Sequence, residues 1–347
     1  MTLPLPIRFK GAPGSPYTRK MLALLRYRHI PYAFLIGDQA QGQDLPQPKV
    51  NLLPTFYLPN DQNELEAVVD STPLIRRFEA AVSARSVIPP DPVAAFLNYL
   101  VEDYGDEWLT KPMFHYRWHY QADIEMAARI LPRWRGLQTP DDELKAMSQT
   151  ISERQISRLY VVGSNETTAP VIEDSYQRFL KILDQLVEVQ GFLFGQRPSS
   201  ADFAIYGQLT QLAKFDPTPS ELCLKTAPRV YAWTDVVDDL SGNPAAEQDW
   251  LDRAVLLGNL APLLSEIGRT YVPVMLANAK AVANAEKQFE TEVDGQPWVQ
   301  PTFPYQARCL NWIHEEFSRL EKADQAVVAE DLSTHGCEAL IQSVAEA

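Results

Sequence analysis

Pro89, Pro90 and Pro92 fall within four residues and constrain the chain more than any other feature, because no helix runs through a segment lacking three backbone donors. The chain is therefore read as two parts, with different periodicity on either side of this linker. Before it, residues 7–9 read as a short strand, 11–16 as a Gly- and Pro-rich loop, and 17–28 as a helix. Residues 31–36 form a second strand, 55–58 and 65–69 a hairpin about the turn Asn60-Asp61-Gln62-Asn63, and a helix then runs to about Ala81. After the linker, helical periodicity dominates from 93 to about 267, including the long pattern 171–189.

From about Gly268 the pattern changes again. Residues 287–292 and 296–303 flank Asp294-Gly295, a pair suited to the type I′ turn of a hairpin, and Tyr305, Cys309, Ile313, Phe317 and Leu320 then make a helical stripe. With 347 residues and 46% hydrophobic content, the chain has room for two or more cores. The expected class is α+β: a βαβ–ββα domain over 1–82, an all-helical domain over 92–267, and an extension over 268–347.

Charge narrows the partners. The 31 Lys and Arg face 45 Asp and Glu, giving a net charge of −14 that argues against nucleic acid and anionic lipid surfaces. Cys223, Cys309 and Cys337 are odd in number and widely spaced, which signals neither a disulfide framework nor a CxxC pair and fits a reducing cytoplasm. The first residues lack a basic segment followed by an apolar stretch, and no run approaches a membrane span, so a soluble protein is expected. GxSxG, GxxxxGK[ST] and GxGxxG are absent.

Leu53-Pro54-Thr55, followed sixteen residues after the proline by Asp70-Ser71-Thr72, is the main functional motif. By itself Pro54 reads as a strand-entry proline, and Asp-Ser-Thr before Pro73 as an ordinary helix start with a capping side chain. Together, in this order and within a thioredoxin-like layout, they resemble the glutathione-binding edge of the glutathione transferases. The resemblance implies that Pro54 is cis, that Leu53 offers main-chain donor and acceptor to the cysteine of glutathione, and that Asp70 and Ser71 hold its γ-glutamyl end. Phe194-Gly195-Gln196-Arg197-Pro198-Ser199-Ser200-Ala201-Asp202 resembles the capping box of the transferase helical core. Ser199 caps the helix and Asp202 reaches back to its N–H, a role in folding rather than chemistry.

Ser15-Pro16-Tyr17 resembles the segment where tau-type transferases have Ser-Pro-Phe and omega-type ones Cys-Pro-Phe. The resemblance gives Ser15 the catalytic position, donating a hydrogen bond to the glutathione sulfur while the helix N-terminus favours the thiolate. Serine in place of cysteine favours thiolate addition or substitution over mixed-disulfide chemistry. The competing reading of Ser15 is a helix cap before a first-turn proline. Tyr17 is either a second hydroxyl at the substrate or a packed aromatic.

Lys49, five residues before Pro54, is the candidate for the glycine carboxylate of glutathione, or else a solvated surface lysine. The family's usual Lys or Gln sits two or three before the proline, where this chain has Leu52 and Asn51, and Pro46 and Pro48 interrupt the short helix normally found between 37 and 52. Tyr104, Trp108, Phe114 and Trp118 fall where the family keeps its electrophile pocket, and read either as an apolar wall or as core. His115 and His119 share a helix face without a metal-binding signature. The reading is a cytoplasmic, homodimeric glutathione transferase-like enzyme that uses glutathione as cosubstrate against a small apolar electrophile. Its alternative is a non-catalytic binding or scaffold protein on the same fold.

Overall fold

The computed structural model describes residues 3–36 and 44–342. Strand β1 (Ile7–Gly11), helix α1 (Pro16–Tyr27), strands β2 (Tyr32–Ile36), β3 (Thr55–Pro59) and β4 (Leu65–Val68), and helix α2 (Ser71–Ala81) form the first unit. The sheet order is β2-β1-β3-β4, with β1 parallel to β2 and antiparallel to β3. That is the thioredoxin-like arrangement expected, and Phe9 stacks on Phe56 across β1 and β3 with ring centroids 4.6 Å apart. Of the proline-interrupted stretch, 37–43 lies outside the described residues, and 44–52 holds neither helix nor strand.

The helical part contains α3 (Pro92–Glu107), α4 (Thr110–His119), α5 (Gln121–Ile130), α6 (Asp141–Ile156), α7 (Ala169–Gln190), α8 (Ser200–Leu212), α9 (Pro217–Thr226) and α10 (Pro228–Asp238). Ser199 and Asp202 form the reciprocal capping box at α8, the Ser199 N–H donating to Asp202 Oδ2 at 2.8 Å. Helix α8 packs directly on α1, at a glycine. A Cβ at Gly207 would stand 2.5 Å from the Pro16 carbonyl oxygen, so only glycine lets the helices approach this closely.

The expected boundary at 267/268 falls inside a single helix, α11 (Arg253–Ala283), whose internal prolines Pro262 and Pro273 do not end it. Beyond it come β5 (Gln288–Val293), β6 (Gln296–Pro301), α12 (Pro304–Ser318) and α13 (Lys322–Thr334). Asp294 and Gly295 both take positive φ, 54° and 72°, as a type I′ turn demands. Helices α8, α11, α12 and α13 all pack against α3, and Tyr17 and Lys20 of α1 hydrogen-bond to it. Phe96 on α3 meets Phe317 on α12 edge to face, with centroids 5.8 Å apart. Helix α3 is consequently buried along almost its whole circumference. Among the described residues, no helix is long and apolar enough to cross a membrane.

Candidate functional site

Ser15 caps α1. Its Oγ accepts from the Thr18 N–H at 3.2 Å, and its hydroxyl donates to the Leu53 carbonyl at 3.2 Å. The Leu53–Pro54 bond is cis, as the resemblance implied. Ser15 therefore lies beside the backbone of Leu53, at the N-terminus of a helix whose first-turn amides favour negative charge. The Leu53 N–H has no partner among the described residues.

The loop ahead of Ser15 is held from the helical part. Arg117 on α4, buried in an ion pair with Asp216 at 2.8 Å, donates through Nη1 to the Gly14 carbonyl at 3.1 Å. Gln211 on α8 donates to the Pro13 carbonyl at 3.2 Å and accepts from Arg117 Nη2 at 2.7 Å. Two carbonyls of one short loop are thus fixed by side chains some 100 and 200 residues away, a separation that leaves no local sequence signal.

Asp70 and Ser71 stand at the N-terminus of α2 as expected, but both are engaged within the chain. Asp70 holds φ 83° and ψ 114°, an uncommon conformation for a non-glycine residue and one that concentrates at functional positions. Its Oδ1 accepts from the Thr72 N–H at 3.3 Å, and its Oδ2 accepts from the Tyr305 hydroxyl of α12 at 2.8 Å. Burial raises the Asp70 pKa, against the Tyr305 hydrogen bond and the Lys20 charge. Ser71 Oγ accepts from Lys20 Nζ at 3.1 Å.

Lys20 organises the buried floor of the site. Lying one turn into α1, it pairs with Asp106 at 2.6 Å and Glu102 at 2.9 Å, both on α3. Glu102 also accepts from Ser200 at 2.6 Å and from Thr72 at 3.0 Å. Burial opposes its charge, but Lys20 and Arg76 outweigh burial and hold its pKa low. The other acids of the cluster move the opposite way. Burial pushes Asp106 up to about 6 and Asp103 to about 7, against Lys20 for the first and a Tyr271 hydroxyl for the second. Glu107 is raised to about 8, by burial first and then by the charges of Asp103 and Asp106. Nothing local in Thr18-Arg19-Lys20-Met21 sets Lys20 apart from its neighbour Arg19 as a buried cation. Four acids at 102, 103, 106 and 107 were the available sign that α3 needs a buried cation.

The proposed pocket residues divide. Tyr17 is half-buried and its hydroxyl donates to the Asp106 carbonyl at 2.8 Å, tying α1 to α3. Tyr104 and Trp108 have no exposed surface and Trp118 has 1%, so these three are core rather than an open wall. For two of them the physical reason is the extension: Trp108 packs on Trp298 of β6 at 5.6 Å, and Tyr104 on Tyr271 of α11 at 6.1 Å. Phe114 is half-buried, 6.4 Å from the Trp118 ring. Lys49 is exposed and has no partner among the described residues. His115 bonds Ser164 at 2.8 Å and Glu173 at 3.1 Å, and stacks on His119 at 4.7 Å.

Residues 10–86 match the model of the glutathione S-transferase N-terminal domain, and residues 143–237 that of the glutathione S-transferase C-terminal domain. A glutathione transferase family member from Pseudomonas fluorescens Pf-5, solved with two glutathione bound, aligns at 14% identity over 69% of this chain and 89% of its own, with a TM-score of 0.40. The tau class glutathione S-transferase of mango, Mangifera indica, aligns at 17% identity over 72% of this chain and 94% of its own, also with a TM-score of 0.40. A GST-like protein from Pseudomonas syringae aligns at 15% over 67% and 66%, with a TM-score of 0.34. No curated protein matches the chain.

Proposed function

Because this chain belongs to the glutathione S-transferase family, we propose that it is a glutathione transferase-like enzyme in which Ser15 activates the thiol of glutathione for attack on an apolar electrophile. One observation carries the reading. The Ser15 hydroxyl, at the N-terminus of α1, is 3.2 Å from the carbonyl of the cis Leu53–Pro54 peptide. The group that would polarise a thiol therefore adjoins the backbone that would hold the cysteine. The Leu53 N–H is free to meet the cysteinyl carbonyl, and the Ser15 proton turns from the Leu53 carbonyl to the sulfur. A hydrogen bond to the sulfur and the α1 N-terminus both favour thiolate over thiol, whose ordinary pKa is about 8.5. The attacking atom is the cosubstrate's sulfur, and the serine stays uncharged throughout.

Lys49 would serve the glycine carboxylate, and Phe114, with the exposed side of Tyr17, would be what the electrophile meets. Glutathione as the cosubstrate is supported by the match to the glutathione S-transferase domain models. Cytoplasmic location rests on the cysteine pattern and a homodimer on the family resemblance, with light scattering the direct check on the latter.

A specific observation favours the non-catalytic alternative as a second reading. Asp70 Oδ2 and Ser71 Oγ, the groups for the γ-glutamyl end, already have partners in Tyr305 and Lys20. Binding and turnover separate the two readings. At about 100 times Kd, glutathione should stabilise the protein by roughly 2.7 kcal/mol in a thermal melt, and Ser15→Ala should keep that shift while losing conjugation of a model electrophile. No shift at millimolar glutathione excludes both enzyme and cosubstrate; a shift with equal conjugation by Ser15→Ala removes Ser15 from the mechanism.

A further inference from the structure

Helix α12 delivers one hydroxyl onto the candidate γ-glutamyl site, and it does so from a firmly seated position. Asn278 on α11 donates to the Phe303 carbonyl at 2.9 Å and accepts from the Phe303 N–H at 2.7 Å, fixing the residues that lead into α12. Gln306 is buried and donates to the Glu107 carbonyl at 3.3 Å. Between these anchors Tyr305 packs its ring against Phe303 and Trp312, at 6.0 and 6.1 Å, and reaches Asp70 Oδ2. The other oxygen, Oδ1, is occupied by the α2 cap. A carboxylate offers about four acceptor positions, but a half-buried one in a fixed cap has few that a ligand can reach.

We propose that Tyr305 is an internal competitor for Asp70, so that the extension sets how tightly the glutathione edge holds a ligand's α-ammonium. The inference rests on the glutathione reading above. An α-ammonium arriving at Asp70 pairs opposite charges, whereas the phenol it displaces donates to the same carboxylate without a charge of its own, so the ligand wins but loses part of its gain. The specificity consequence is chemical: a γ-glutamyl thiol bears the cost of displacing Tyr305, whereas the same thiol lacking the amino group never contests Asp70 and bears none.

The test is calorimetric titration of the full chain and its Tyr305→Phe variant with two probes, glutathione and its deamino analogue glutaryl-cysteinylglycine. Phenylalanine keeps the ring packing and deletes only the hydroxyl. Tyr305→Phe should tighten glutathione about three- to tenfold, the range that removing one competing hydrogen bond gives, and leave the analogue unchanged. Adding Asp70→Asn to Tyr305→Phe should abolish the gain. Glutathione binding that Tyr305→Phe leaves equal or weakens overturns the inference while the glutathione reading stands. The same holds if both probes tighten equally, since a general loosening of α12 would do that. Glutathione binding to neither protein overturns both, and binding to the variant alone supports the competitor role.

Discussion

Lys20 shows how one residue joins the two parts of the molecule. A lysine at 0% exposure is tolerated only with its charge answered, and here Glu102, Asp106 and the Ser71 hydroxyl supply three partners within 3.1 Å. Replacing it with methionine keeps the volume and leaves two acids without their counterion. Lys20→Met should cost about 3–5 kcal/mol, read as a fall in the denaturant midpoint at unchanged slope. A loss under 1 kcal/mol would mean that the acids are already neutral and that the pairing adds little. Ser15, by contrast, serves folding and proposed chemistry with one atom: its Oγ both caps α1 and faces Leu53, which is why neither sequence reading of that serine excluded the other.

At the scale of elements, Gly207 sets the distance between α1 and α8, and with it the placement of Ser15 at the end of α1. A methyl group there meets the Pro16 carbonyl at 2.5 Å and Lys20 Cβ at 3.1 Å, and the carbonyl belongs to backbone that cannot swing away. Gly207→Ala should destabilise by about 1–3 kcal/mol and lower glutathione affinity together, because displacing α1 moves the cap away from Leu53. Stability lost at unchanged affinity would show that α1 moves as a body with the sheet. The elements themselves were legible because their signals are local: Pro16 and Ser15 open α1, Ser199 and Asp202 open α8, and Asp294-Gly295 turns the hairpin. What could not be read was contact across long separations. Tyr305 meets Asp70 over 235 positions, and Trp298 covers Trp108, so a stripe that reads as either pocket or core is decided by a hairpin 190 residues on. The helical part, read from sequence to about 267, runs on past Gly268: packing on α3 and α7 carries α11 through Pro273 to Ala283.

For the whole molecule, the cluster that joins the sheet unit, α3 and the extension makes stability depend on pH. Asp103 and Glu107 have folded pKa values of about 7 and about 8, against roughly 3.9 and 4.3 when unfolded. The folded state therefore binds protons that the unfolded state releases. Their contribution is fully present below about pH 4 and is lost as pH rises through the folded values. Asp106, at about 6, acts in the same sense but is spent earlier. Two sets of groups oppose this trend outside a middle window. His119 and His314, lowered by burial, add stability as pH rises towards their unfolded value of about 6.5, and Lys111, lowered to about 8 by burial, does so above that value. Between pH 6.5 and 8 the two acids dominate, and Tm should fall as pH rises at constant ionic strength. Glu107→Gln removes the group that titrates latest and should flatten the upper half of that slope. A Tm that is level or rising across this window in the unaltered chain would mean that α3 carries its acids ionised, with the extension packed over charge rather than over protonated carboxyls.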